Sequence, residues 1–289
     1  MTIERVGVMF DRGQRPEDLA AFATEAEESG LDDLWVVEDL SWAGGVSSAA
    51  LALAATRRLR VGIGIMPAPL RNPGLLAMEV ATLARVFPGR LVAGVGHGVG
   101  AWMEGVGAGT PSKLALLGET ITALRALLAG ETVRVNGRAV RIDELRLVHP
   151  PATPPPVVAG VVRPRSLELS GRVADGTVLA EGNGPARVAT ALTHIAPTRP
   201  HELIVFTHLR VSDDPALLAA EVAPVAEETA GFLGVPTADA FLATGDAATA
   251  ADRVRSLWRA GATTVVLRPI GDDPLGQVRA ALAALRPEM

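Results

Sequence analysis

Short β-prone runs alternate with amphipathic helical stretches along nearly the whole chain, and that alternation restricts the fold more than any other feature. Arg5-Val6-Gly7-Val8-Met9-Phe10 precedes a helical pattern over residues 16–28 that closes at Ser29-Gly30. Asp33-Leu34-Trp35-Val36-Val37-Glu38 then leads into a helix over 47–56. Arg60-Val61-Gly62-Ile63-Gly64-Ile65 is followed by a helix over 73–86, and Arg90-Leu91-Val92-Ala93-Gly94-Val95 by a long helix over 111–129 ended by Gly130. A proline or a capping residue opens these helices and glycine ends several of them, as the backbone chemistry of helix termini favours. Further strands are expected at 157–160, 176–179, 202–209 and 263–267, with helices between them and a closing helix over 274–285. Such alternation demands a parallel sheet with helices outside it, and eight units in roughly 250–300 residues is the size at which that sheet closes. The expectation is an α/β fold of the (β/α)8 barrel type occupying the whole chain, 1–289, as one domain.

One stretch breaks the rhythm. Thr132-Val133-Arg134-Val135 and Ala139-Val140-Arg141-Ile142 flank Asn136-Gly137, a strong hairpin signal, so residues 131–150 read as a hairpin excursion between the fourth and fifth units. An open doubly wound sheet is the alternative architecture, but the first strand does not run into a G-x-G-x-x-G turn.

Composition excludes whole chemistries. With no cysteine, thiolate nucleophiles, zinc-thiolate sites and iron–sulfur clusters are ruled out, and no metal site is expected. Lys113 is the only lysine and stands at a helix start, a poor place for a Schiff base. A net charge of -5 without a basic stripe argues against nucleic acid as a partner. No apolar run is long enough to span a bilayer and no secretory leader is evident, so a cytoplasmic protein acting on a small molecule is expected.

In barrels of this type the reacting groups follow the C-terminal ends of the strands. Strand two ends in Glu38-Asp39, and strand three in Gly64-Ile65-Met66-Pro67-Ala68-Pro69. Strand four ends in Gly94-Val95-Gly96-His97-Gly98-Val99-Gly100, and strand five in Gly160-Val161-Val162-Arg163-Pro164-Arg165-Ser166. The glycines after strand four allow backbone to approach a flat ligand closely, though a tight turn with a solvated His97 reads equally well. Arg163, Arg165 and Ser166 surround a helix start that Pro164 can open, which makes a physical anion site; ordinary surface arginines are the rival reading. Glu38 and Asp39 fit a helix-capping pair, or a structural acid pairing with Arg71, as well as a catalytic role.

Four segments carry a family resemblance. Trp35-Val36-Val37-Glu38-Asp39, the run from Val61 to the Asn72-Pro73 pair, Pro88-Gly89-Arg90 through Gly98, and Ala174-Asp175-Gly176-Thr177 resemble the bacterial-luciferase-like monooxygenase superfamily, especially its branch using coenzyme F420. The resemblance covers most of the chain and implies an oxidoreductase, with coenzyme F420, or alternatively FMN, bound at the barrel mouth. It further implies a bulge in strand three with a non-proline cis peptide at Gly64-Ile65 as backstop for the ring. The implied cofactor contacts are Glu38 and Asp39 at the polar edge, Gly64, Ile65, Met66 and Pro67 at the bulge, Gly96, His97 and Gly98 along the tail, and Gly160, Val162, Arg163, Arg165 and Ser166 around the phosphate. Homodimers are common in such a family.

The chain also departs from the family's sugar-phosphate dehydrogenases. Those carry an Asp-His pair after strand two and a catalytic Glu after the strand-four glycines, where this sequence has Glu38-Asp39 and Val99. The acid–base pair is therefore not carried over, leaving Asp39 and His97 as candidates to move protons. Three readings remain: a deazaflavin-dependent hydride-transfer enzyme, an FMN-dependent monooxygenase or reductase, and a catalytically silent cofactor-binding barrel. Trp42, Trp102 and Met103 are candidate walls of a substrate pocket.

Overall fold

A computed structural model describes residues 4–286. In chain order the strands are β1 (Arg5–Met9), β2 (Asp33–Val36), β3 (Arg60–Pro67), β4 (Leu91–Gly96), β5 (Val133–Asn136), β6 (Arg141–Leu145), β7 (Val157–Gly160), β8 (Gly176–Leu179), β9 (Glu202–Val211), β10 (Ala243–Gly245) and β11 (Thr264–Pro269). The helices are α1 (Leu19–Glu28), α2 (Gly45–Ala55), α3 (Pro73–Val86), α4 (Gly100–Gly105), α5 (Lys113–Leu128), α6 (Pro164–Val173), α7 (Pro185–Ile195), α8 (Pro215–Leu233), α9 (Ala247–Arg259) and α10 (Pro274–Leu285). Eight parallel strands close in the order β1-β2-β3-β4-β7-β8-β9-β11 and back to β1, so every strand anticipated for the barrel is a stave of it. Short β10 pairs with the end of β9. No helix is long and apolar enough among the described residues to cross a membrane.

Three local features differ from the sequence pattern. Residues 100–105 form α4 instead of loop, and α5 begins at Lys113 after a turn. The hairpin lies within residues 131–150, but Asn136 pairs with Arg141, so residues 137–140 make the turn and not Asn136-Gly137 alone. The physical reason is Glu119 of α5, whose carboxylate accepts hydrogen bonds from the backbone N–H groups of Arg138, Ala139 and Val140 at 2.8, 2.9 and 2.7 Å. That long-range contact overrides the dipeptide's local turn preference. Strand β3 runs on to Pro67, beyond the expected end at Ile65, around the bulge that the resemblance implies, marked by a register shift between Ile63 and Met66.

Two layers of core hold the barrel. Between strands and helices lies a large aliphatic layer that includes Val6, Val8, Leu34, Val61, Ile63, Leu91, Leu124 and Val265. The barrel lumen is filled separately by Met9, Trp35, Val92, Val158, Val178, Ile204, Phe206 and Val266. Successive strand residues point alternately outward and inward, which is why these two sets interleave. Trp35 is fully buried and meets Phe206 edge-on, with ring centroids 5.3 Å apart. Its bulk requires bare backbone beside it: a Cβ built on Gly62 would lie 2.4 Å from the indole, and one on Gly64 would lie 2.7 Å from Phe206 Cζ. The N-terminal end of the lumen is plugged by Arg60, which bonds Asp33 at 2.8 and 2.9 Å and Glu202 at 3.0 Å. The filled, plugged lower lumen leaves the C-terminal end as the place where a ligand can reach the interior.

Candidate functional site at the barrel mouth

Above the Trp35–Phe206 layer the mouth divides into two chemically different halves. On the β3–β4–β7 side the inward positions are glycines: Gly64, Gly94, Gly96 and Gly160. Gly64-Ile65 is a non-proline cis peptide, at the position that the resemblance implies. From the bulge Ile65 lays its side chain across the glycines; a Cβ on Gly96 would lie 2.7 Å from Ile65 Cδ1, and one on Gly160 would lie 2.5 Å from Ile65 Cγ2. The result is a flat apolar shelf at the mouth, with Gly64 and Ile65 themselves half-buried. Met66 and Pro67 continue β3 and are buried; they pair in register with Val95 and Gly96. Gly98 has φ +67, a conformation glycine adopts freely, and packs against Pro67 and Met103.

The rim of this half is cationic. His97 Nε2 lies 3.0 Å from Ser166 Oγ, tying the strand-four loop to the first turn of α6. Burial, with the nearby Lys113 ammonium adding to it, pushes the His97 pKa below the ordinary imidazole value, which leaves the ring neutral. Val162, Arg163 and Arg165 are exposed beside it, and neither guanidinium has an ion-pair or hydrogen-bond partner among the described residues. Unpaired cations at a helix N-terminus are suited to an anionic group. The shelf, shaped by absent side chains, and this donor set fit a flat ring carrying a phosphorylated tail.

The two acids after β2 are engaged in ion pairs. Glu38 bonds Arg71 at 2.8 and 2.6 Å and accepts the Gly45 backbone N–H at 3.0 Å, while Arg71 also bonds Glu79 at 2.6 Å. That is the structural pairing with Arg71 that the sequence leaves open. Asp39 bonds Arg12 at 2.6 Å, and Arg12 in turn covers the Trp42 ring at 5.4 Å from its centroid. Trp42 is half exposed at the rim, and Met103 is buried beneath Gly98.

The other half of the mouth carries groups the sequence reading passed over. Arg268 of β11 bonds Asp11 at 2.7 Å and Glu181 at 3.0 Å, and His208 of β9 is buried among them. Burial works to raise the Asp11 pKa, but Arg268 and a backbone N–H from Gly13 outweigh it and hold the carboxyl below its usual range. Arg210 pairs with Glu221 of α8. A signal for three of these residues was present. They extend the inward rows of the lumen: Met9 to Asp11, Phe206 to His208, and Val266 to Arg268, each two residues on.

A family model for luciferase-like monooxygenases matches residues 1–282. The F420-dependent glucose-6-phosphate dehydrogenase of Nakamurella multipartita is 31% identical over 218 residues, covering 69% of this chain and 64% of that protein. The 5,10-methylenetetrahydromethanopterin reductase of Methanolobus tindarius is 28% identical over 190 residues, covering 66% and 58%. These matches thus span less than two thirds of either relative's own length. Among solved structures, the coenzyme F420 dependent tetrahydromethanopterin reductase from Methanopyrus kandleri superimposes with a TM-score of 0.83 at 18% identity, over 98% of this chain and 97% of that one. At that identity it speaks for the shared fold alone.

Proposed function

Because this chain belongs to the luciferase-like monooxygenase family, we propose that it is an oxidoreductase working with coenzyme F420 on a small organic substrate. The observation that carries this reading is the junction of the glycine shelf with the uncompensated Arg163 and Arg165 at the start of α6. The F420 dependence of the 31% identical dehydrogenase supports it. Gly64, Ile65, Met66 and Pro67 would back the ring; Gly96 and Gly160 leave room for the Ile65 side chain beneath it, as Gly98 does for Pro67 and Met103; and Val162, Arg163, Arg165, Ser166 and His97 would hold its phosphate. Glu38 and Asp39 stand at the polar edge, kept in place by Arg71 and Arg12. When bound, the deazaflavin supplies a site that gives or takes a hydride, and the protein supplies position and a water-poor chamber. Asp39 and His97 serve binding on this reading, since each already faces a partner on the cofactor side.

Fluorescence quenching with each cofactor tests the reading. Coenzyme F420 is expected to bind, and replacing Arg163 or Arg165 with alanine removes a charge-assisted contact of about 1.5–3 kcal/mol, a roughly 10- to 150-fold loss of affinity. Tight binding of FMN with none of the deazaflavin makes the protein an FMN-dependent family member instead, and failure of both favours a silent barrel. We also propose a homodimer. Leu75, Met78 and Val86 form an exposed apolar stripe at helical spacing on α3, and exposed Leu51 adds to it from neighbouring α2.

A further inference from the structure

His208 is only 8% exposed, yet neither ring nitrogen has a hydrogen-bond partner among the described residues. Nor is either nitrogen sealed off, since the only histidine among the buried orphaned side-chain atoms is His201. An imidazole in a largely buried position whose accessible nitrogens have no protein partner is free to bond what enters the chamber. Its location follows from the strand period: Ile204 and Phe206 fill the lumen, Phe206 abuts Gly64 across the barrel, and His208 is the next inward residue toward the mouth. It therefore faces the space above the bulge from the wall opposite the shelf.

The charges around it come from four elements. Asp11 follows β1, Glu181 follows β8, Arg268 belongs to β11, and Glu228 reaches it from α8. Burial, reinforced by Arg268, lowers the His208 pKa below its ordinary value, against the pull of Glu181, Asp11 and Glu228. The arginines of the mouth fall into two classes. Arg268 is compensated by Asp11 and Glu181, Arg210 by Glu221, Arg12 by Asp39, and Arg71 by Glu38 and Glu79. Among the described residues Arg163 and Arg165, on the far rim, have no carboxylate partner, and neither does the exposed Arg187 in the first turn of α7. A phosphate dianion beside His208 would meet the carboxylates of Asp11 and Glu181, which already compensate Arg268, whereas an uncharged oxygen would meet an unused imidazole.

We propose that the Asp11–Glu181–His208–Arg268 wall is the substrate side of the mouth, that it takes an uncharged carbonyl or hydroxyl compound and not a phosphate ester, and that His208 exchanges the proton with the substrate's oxygen. This rests on the cofactor reading above. In the reducing direction the carbonyl carbon gains a C–H bond with hydride from the reduced deazaflavin, the C=O π pair moves to oxygen, and that oxygen takes the N–H proton of protonated His208. In the oxidising direction the neutral imidazole takes the hydroxyl proton, the O–H pair becomes the C=O π bond, and the carbon's hydride leaves for the oxidised ring. Arg268, Asp11 and Glu181 act as positioning residues that hold the wall and keep its cation compensated.

Imidazole NMR on 15N-histidine-labelled protein, assigned by single His→Gln variants, tests the placement without turnover. In cofactor-free protein His208 is expected to titrate below 6.5; inorganic phosphate should shift His97 and leave His208 in place; oxidised coenzyme F420 should shift His208. His208→Gln should bind coenzyme F420 within about twofold of the native affinity. Its turnover of the pairs acetone/propan-2-ol and cyclohexanone/cyclohexanol should fall by about a hundred- to ten-thousand-fold. A phosphate-induced shift at His208, an ordinary His208 titration, turnover of glucose 6-phosphate, no turnover of either uncharged pair by native protein that has bound coenzyme F420, or a His208→Gln enzyme within threefold of native overturns the proposal. If coenzyme F420 does not bind while His208 keeps its low pKa and its indifference to phosphate, the cofactor reading fails and the phosphate-excluding wall stands.

Discussion

Gly160→Ala separates packing from cofactor binding at one atom. The new Cβ would lie 2.5 Å from Ile65 Cγ2, against the roughly 3.5–4.0 Å at which carbon atoms rest in contact. Ile65 must therefore retreat by about 1–1.5 Å. Gly160 lies outside the positive-φ set, so the backbone itself accepts alanine. Overpacking of this kind costs about 1–3 kcal/mol, and the lower end applies because Ile65 is only half-buried and has open space on its mouth side. At roughly 2–4 °C per kcal/mol for a protein of this size, the melting temperature should fall by about 2–6 °C. The retreat points into the volume where the ring lies, so cofactor affinity should fall by tenfold or more. Adding Ile65→Ala removes the clashing atom, and a double-mutant cycle on both melting and cofactor affinity should show coupling of at least ~0.5 kcal/mol. Unchanged melting and affinity in Gly160→Ala, or strict additivity with Ile65→Ala, would refute the shelf geometry.

Other consequences can be measured directly. Asp33→Asn leaves Arg60 with only Glu202 as an ionic partner at the barrel floor; loss of a buried ion-pair partner costs about 3–5 kcal/mol, visible as a lower urea midpoint, and a loss under about 1 kcal/mol would contradict the plug. His97, His201 and His208 all have pKa values lowered chiefly by burial. The unfolded chain thus binds protons more readily than the native one, so stability is fully present above about pH 6.5 and declines as pH falls through that value toward the folded pKa values. Urea midpoints at pH 7.5 and 5.5 should show the decline, and His208→Gln should flatten it. Leu75→Glu with Met78→Glu places charges in the exposed α3 stripe and should convert a sizing-column dimer to monomer; an unaltered dimer places the interface elsewhere.

The strand order was within reach of the sequence because parallel β–α units leave few ways to bury both faces of a sheet, and all eight staves fall on the β-prone runs. The glycines after β4 and the arginines at the start of α6 were visible as candidates because they are local, but a solvated turn and surface arginines read as well from the sequence, and the bulge at Ile65 was implied only by the family resemblance. Less could be said of the polar side chains. Whether Glu38 binds a cofactor or Arg71 depends on where α3 begins relative to β2, and Arg71 stands 33 positions downstream. Asn136-Gly137 lost its turn to Glu119 for the same reason, a contact 19 residues away.

What the sequence determined by itself is thus the barrel and the positions of the glycines at its strand ends: short-range period, turn chemistry and missing side chains act locally and survive without knowledge of neighbours. What tertiary structure alone decided is the ionic half. Asp11 and Arg268 lie 257 residues apart, and Arg268 and Glu181 lie 87 apart. Closure of β1 onto β11 and of β8 onto β9 brings them together. Electrostatic compensation depends on which charges end up within hydrogen-bonding distance in a partly dry layer, and strand register across the closed barrel sets that distance.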